Sequence, residues 1–131
     1  MSIMVAYDGS AASKDALSLA KAHAKAFDDE IEVVRAEERS ADLDYSNINR
    51  LEQKLDDEIK TLMNGENIPF TTTLLVSSST AGEEIVRHLT VKNSKEICLG
   101  VKRHSKVGKL LFGSTAQYVI LNAPCPVVTI N

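Results

Sequence analysis

With 131 residues, 44% of them hydrophobic and 25% charged, the chain has the length and composition of one ordinary globular domain, expected over 1–131, and not of a disordered or fibrous protein. A formal charge of -3 gives no ground for non-specific binding to nucleic acid or to anionic membranes. No run approaches 18 apolar residues and MSIMVAYDGS lacks the basic start of a signal peptide, so a cytoplasmic protein without a membrane partner is expected.

Residues 2 to 7, SIMVAY, read as a first strand, and Asp8-Gly9-Ser10 as the turn and helix cap that end it. The following helix carries Leu17, Ala20, Ala24 and Phe27 along one stripe, with Lys14, Lys21 and Lys25 facing away, and stops at Asp28-Asp29. Ile31, Val33 and Val34 begin a second strand, predicted to end near Ala36 because EERSADLD is too polar for a sheet interior. Ile48, Leu51, Leu55, Ile59 and Leu62 then step by three or four, a helix with Gly65 where a C-cap belongs and with Glu52, Lys54 and Asp56 as its solvated face.

FTTTLLV after Pro69 is the third strand, and Thr80 with Glu83 fits a capping box for a helix bearing Ile85, Val86 and Leu89. The fourth strand is placed at Glu96 to Val101, a helix with Ala116, Val119, Ile120 and Ala123 follows, and Val127 to Ile130 make the fifth strand. Strands and helices alternate throughout, which predicts an α/β fold: a parallel sheet with helices on both faces. Cys98 and Cys125 have no ligand or redox spacing and read as buried inert thiols.

The stretch GVKRHSKVGKLLFGST, Gly100 to Thr115, lies between a strand and a helix start and collects Lys102, Arg103, Lys106 and Lys109 in a chain that is acidic overall. Unpaired N–H groups and the dipole at a helix N-terminus attract anions, so this loop is a candidate anion site. Each residue also has a plainer reading. Asp8 before Gly9 can be a turn former, Ser114 with Gln117 a capping box, Gly100 and Gly113 turn glycines, and the basic residues and His104 a solvated loop. His23 and His88 fall on helices away from the strand ends. Walker A fails at Arg103 and Leu110, a phosphoacceptor receiver domain lacks its acidic pair, and no nucleophile elbow is present.

Gly100, two residues, Arg103, nine residues, then Gly113-Ser114 resembles the nucleotide-binding signature of universal stress proteins, in which the position of Arg103 is a glycine. The resemblance runs from VAYDGS at 5–10 to APCPVVTI at 123–130 and so covers essentially the whole chain. It implies a five-stranded sheet of order 3-2-1-4-5, with a ligand crevice where the order reverses between strands one and four. Carried over by position, it implies Ala6 and Asp8 beside a nucleoside, the Ala36 backbone at adenine, and Gly100, Gly113, Ser114 and Thr115 at ribose and phosphates, with Lys102 and Arg103 adding charge. The implied ligand is ATP or another adenine nucleotide, with Asp8 near a Mg²⁺ ion that bridges the phosphates. A regulatory role is expected, with at most slow ATP hydrolysis, since no general base or activated nucleophile is evident. The resemblance also implies a homodimer paired through Val127 to Ile130. The alternative is a nucleotide-independent dimeric interaction protein of the same fold, its phosphate site altered by Arg103.

Overall fold

A computed structural model describes residues 1–101 and 113–131. Among them, strands and helices alternate as β1 Ser2–Ala6, α1 Ala11–Phe27, β2 Glu30–Glu38, α2 Tyr45–Leu62, β3 Phe70–Ser77, α3 Ala81–Lys92, β4 Glu96–Gly100, α4 Ser114–Asn122 and β5 Val127–Ile130. The strands form one sheet, all pairs parallel, in the order β3-β2-β1-β4-β5. This is the α/β architecture that the alternation predicts and the order that the family resemblance implies.

Side chains alternate between the two faces of the sheet. Ile3, Val5, Ile31, Val33 and Cys98 pack with Ala16, Leu17, Ala20 and Ala24 of α1 and with Leu55 and Ile59 of α2. Met4, Val34, Ile97 and Leu99 pack on the other side with Ile85 and Leu89 of α3 and with Ala116 and Val119 of α4. Burial on both faces is why β1 and β4 are apolar at consecutive positions instead of alternating. The helices are capped by their own sequence. Ser10, Asp44 and Thr80 accept from the N–H three residues on, and Asp28 and Asn93 end α1 and α3 in the left-handed conformation.

Several local expectations are corrected. Phe27 is not core but 63% exposed, with the Lys95 ammonium 4.3 Å from its ring centroid. It is the last residue of α1 and, at about 100° per residue, lies roughly 80° around the helix from Leu17, at the margin of the stripe. Lys21 and Lys25 do not simply face away: Lys21 donates to the Leu62 carbonyl at the end of α2, and Lys25 pairs with Glu66 at 2.6 Å. A cation there complements the carbonyl end of α2. β2 continues to Glu38, because β3 offers it partners as far as Ser77 and the ladder outweighs the polarity of the segment. The C-cap of α2 is Met63, and Gly65 sits two residues later in a turn at φ +82°. Asp56 is half-buried, accepting from the Thr72 hydroxyl at 3.2 Å and pairing with Lys60 at 2.8 Å, so it ties α2 to β3. Val101 lies one residue beyond β4, and its N–H still donates to the Ile130 carbonyl at 2.8 Å.

Candidate functional site

Where the strand order reverses between β1 and β4, neighbouring connections leave in opposite directions and a crevice opens at the carboxyl ends of the strands. Its volume is about 440 Å³, within the range of small-molecule sites. Ala6 borders it at the end of β1 and Asp8 just beyond, Val34 and Ala36 along β2, Leu99 and Gly100 at the end of β4, and Gly113, Ser114 and Thr115 at the start of α4. The structure thus brings seven of the sequence candidates, Ala6, Asp8, Ala36, Gly100, Gly113, Ser114 and Thr115, to one cavity. Lys102, Arg103, His104, Lys106 and Lys109 lie outside the described residues.

The floor is set by Gly100. A Cβ built there would lie 2.3 Å from both the carbonyl carbon and oxygen of Ala12, in the first turn of α1. A glycine is therefore required at this position by the approach of one backbone to another, whether or not a ligand is bound. Gly113 is different: among the described residues nothing lies within 4 Å of its Cβ position, and its φ of -63° suits any residue.

The starts of α1, α3 and α4 border the crevice, and they differ: α3 opens at Ala81 under its Thr80 cap. In α1 the Ser10 hydroxyl accepts from the Ser13 N–H at 3.2 Å, and the Ser13 hydroxyl donates back to the Ser10 carbonyl at 2.9 Å. In α4 the N-cap is Gly113, which has no side chain to accept from the first turn. The expected capping box from Ser114 to Gln117 is therefore not formed. Ser114 is the first helical residue, and the Gln117 N–H instead completes the helix ladder to the Gly113 carbonyl at 3.0 Å. The start of α4 has the backbone donors of an anion site and, among the described residues, no side-chain cap that competes for them.

Asp8 stands at the rim and is exposed. Its Oδ1 accepts the Ser10 N–H at 2.9 Å, with Gly9 between them at φ +85°, so the turn-forming reading of Asp8 describes its geometry. Beside it, Tyr7 lines the cavity with its ring buried and its hydroxyl donating to a Glu58 carboxylate oxygen at 2.9 Å. Burial, then the hydrogen bond to Glu58, pushes the Tyr7 phenol up to about 12, so it stays neutral across the biological range. Tyr7, Val34, Ile85 and Leu99 were not singled out as site residues from the sequence, where they are indistinguishable from other apolar core positions. Their one signal is placement at or near a strand's carboxyl end or on the helix facing it.

His23 and His88 sit away from this crevice, His23 against Glu96 at 3.0 Å and His88 against Glu32 at 2.9 Å. Burial and the neighbouring charge of Glu96 push the Cys98 thiol up to about 12. Cys125 is only partly buried, and the same two causes raise its thiol as well.

A sequence model of the universal stress protein family matches residues 1–131. The chain belongs to the universal stress protein family. It is 32% identical over 137 aligned positions to a Thermus aquaticus protein described as "Universal stress protein in QAH/OAS sulfhydrylase 3'region", covering 98% of this chain and 97% of that one. Among solved structures, a universal stress protein from Archaeoglobus fulgidus superposes with a TM-score of 0.85 at 27% identity, covering 100% of this chain and 98% of that chain. A universal stress protein from the same organism in complex with dAMP superposes at 0.80 with 24% identity and the same coverage, a likeness that establishes the shared fold.

The two glycines of this universal stress protein separate in a stability measurement. Gly100→Ala is expected to lower the unfolding free energy in urea by about 3 kcal/mol or more, because the clash is with backbone that cannot rotate away. Gly113→Ala is expected to change it by about 1 kcal/mol or less, as a cap residue without packing.

Proposed function

We propose that the crevice binds ATP or a related adenine nucleotide, and that binding regulates the protein instead of starting a reaction. The observation that carries this reading is the start of α4, which no described side chain caps, facing a cavity at the strand-order reversal. A nucleotide has the matching polarity. Its phosphates would lie at the N–H groups of Gly113, Ser114 and Thr115, with Lys102 and Arg103 assigned to them by their place in the sequence signature. Its base would lie between Ala6, Val34, Ala36 and Ile85, where apolar surface and the Ala36 backbone are available. The solved dAMP complex of a protein with this fold makes an adenine nucleotide the first ligand to test.

Asp8 places a carboxylate close to where those phosphates would come, which disfavours binding unless a cation intervenes. A Mg²⁺ ion shared between Asp8 and the phosphates would supply it, retaining most of its waters. The regulatory role is supported by what lines the crevice. Its described titratable residues are Asp8 and Tyr7, and a phenol with its proton held to about 12 is no general base.

Arg103 motivates a second reading, since the family signature has glycine there: a nucleotide-independent interaction protein whose phosphate site this side chain closes. On either reading the protein is proposed to be a homodimer. β5 lies at the edge of the sheet, with Val127, Val128 and Ile130 half-buried, and pairing it with a second copy would satisfy its open side.

Calorimetric titration with ATP and Mg²⁺ is expected to give a dissociation constant at or below about 1 mM, roughly 4 kcal/mol of binding. Absence of heat and of any spectroscopic change at that concentration would reject nucleotide binding. Ser114→Glu is the sharper variant, because an acid in the first turn favours α4 by about 0.3–1 kcal/mol while repelling a phosphate. Its ATP affinity should fall at least tenfold with thermal stability unchanged or raised, and an unchanged affinity would move the phosphates elsewhere. Arg103→Gly separates the two readings: weaker binding makes Arg103 a phosphate ligand, and binding gained from none makes it a plug. Sedimentation should give twice the chain mass, and a monomer would contradict pairing through Val127 to Ile130.

A further inference from the structure

Away from the crevice, potential metal-binding groups gather at the opposite pole of the sheet, where the strands begin. Glu96 opens β4 and Cys98 follows two residues later, so both side chains leave the face that α1 covers. α1 runs back toward this pole and brings His23 over them, its Nδ1 3.0 Å from Glu96 Oε1. The imidazole nitrogen, the carboxylate oxygen and the Cys98 sulfur all lie within 4.8 Å of one another. Cys98 is wholly buried, whereas the His23 side chain is 30% exposed, which leaves a route from solvent.

We propose that His23, Glu96 and Cys98 form a three-ligand site for a divalent transition metal ion of the zinc class. One nitrogen, one oxygen and one sulfur make a borderline donor set. Mg²⁺ and Ca²⁺ require oxygen, whereas Zn²⁺ accepts all three donor types and is satisfied by three protein groups and a water.

The geometry is close to what such an ion needs. With metal–ligand bonds of about 2.0–2.3 Å, donor atoms of a tetrahedral site stand about 3.3–3.8 Å apart. The His23–Glu96 pair is already near that separation, and even the widest permitted by the cluster would have to close by only about 1 Å. Small rotations of His23 and Glu96 can supply this, because Cys98 is held in a strand flanked by Val5 of β1 and Val128 of β5. As the sulfur–metal bond forms, the thiol proton leaves to solvent and the ion's charge replaces it beside the Glu96 carboxylate. The water in the fourth position would lie on the exposed side, beside His23. A bound ion would pin the last turns of α1 to the start of β4. The site does not involve the crevice and stands whether or not that crevice takes a nucleotide.

Co²⁺ is the probe, added to the reduced full-length protein. The expected result is one equivalent bound, with the intense visible absorption of a four-coordinate ion and a near-ultraviolet thiolate-to-cobalt band, both abolished when Zn²⁺ displaces it. Cys98→Ser should remove the near-ultraviolet band, and His23→Gln should weaken binding at least tenfold. Should Cys98→Ser fail to fold by circular dichroism, His23→Gln decides, since its side chain is partly exposed. The proposal is overturned if the wild type shows only the faint absorption of hydrated Co²⁺ up to millimolar concentration. It is equally overturned if the band survives in Cys98→Ser, which would transfer the ligation to Cys125, or if His23→Gln binds as tightly as the wild type.

Discussion

At Gly100 the end of β4 and the first turn of α1 come so near that a Cβ would stand 2.3 Å from the Ala12 carbonyl group, and the shape of the crevice follows from that proximity. α1 leaves β1 and packs over β4 on one face, while α4 arrives at the same end from the other side of the chain order. With only hydrogen on the Gly100 Cα, the Ser10 cap, Asp8 and the start of α4 can all border one cavity. A larger residue would push the first turn of α1 outward and take the Asp8 turn with it. The glycine acts through the scaffold before it acts on any ligand.

The helix starts at the cavity divide the electrostatic labour. α1 satisfies its own first turn through Ser10 and Ser13 and contributes shape. α4 begins on Gly113, with no side chain to accept from its donors, and contributes positive potential. Apolar strand-end residues fill the space toward β2. A polar end and an apolar end at fixed separation suit a ligand that has both, and Tyr7, locked to Glu58, closes the floor without adding a titrating group at neutral pH.

Buried acids lie in the sheet and at its edge of entry, and each has a partner drawn from far along the chain. Glu32 accepts from the Thr73 hydroxyl and meets His88; Asp29 meets Lys95 at 2.7 Å and the amino terminus at 3.6 Å; Glu96 meets His23. Lys95 holds the Asp29 carboxyl below the ordinary carboxylate range. A buried acid left unpaired would cost several kcal/mol, so these contacts make helix position and strand position depend on one another. They explain why a chain of modest aromatic content packs α1 and α3 at definite heights along the sheet.

What the sequence by itself determined was periodicity and punctuation. The alternation of apolar runs with three-and-four stepping named the elements, Ser10 and Thr80 named two helix starts, and the spacing from Gly100 to Gly113-Ser114 named the family, because each is a pattern within a few turns of chain. The end of β2 was missed because the partner strand, not the composition of Glu37 and Glu38, decides how far a ladder runs. Ser114 read as a cap because a capping box and a helix that starts one residue earlier share the same letters. The strand order carried by the family resemblance put Asp8 and Gly100 in one crevice, but only the tertiary structure decided that Gly100 answers to Ala12, and that His23 meets Glu96 and Cys98, residues more than seventy positions away. Such contacts come from packing separate elements against a common sheet, and no local pattern in the chain records them.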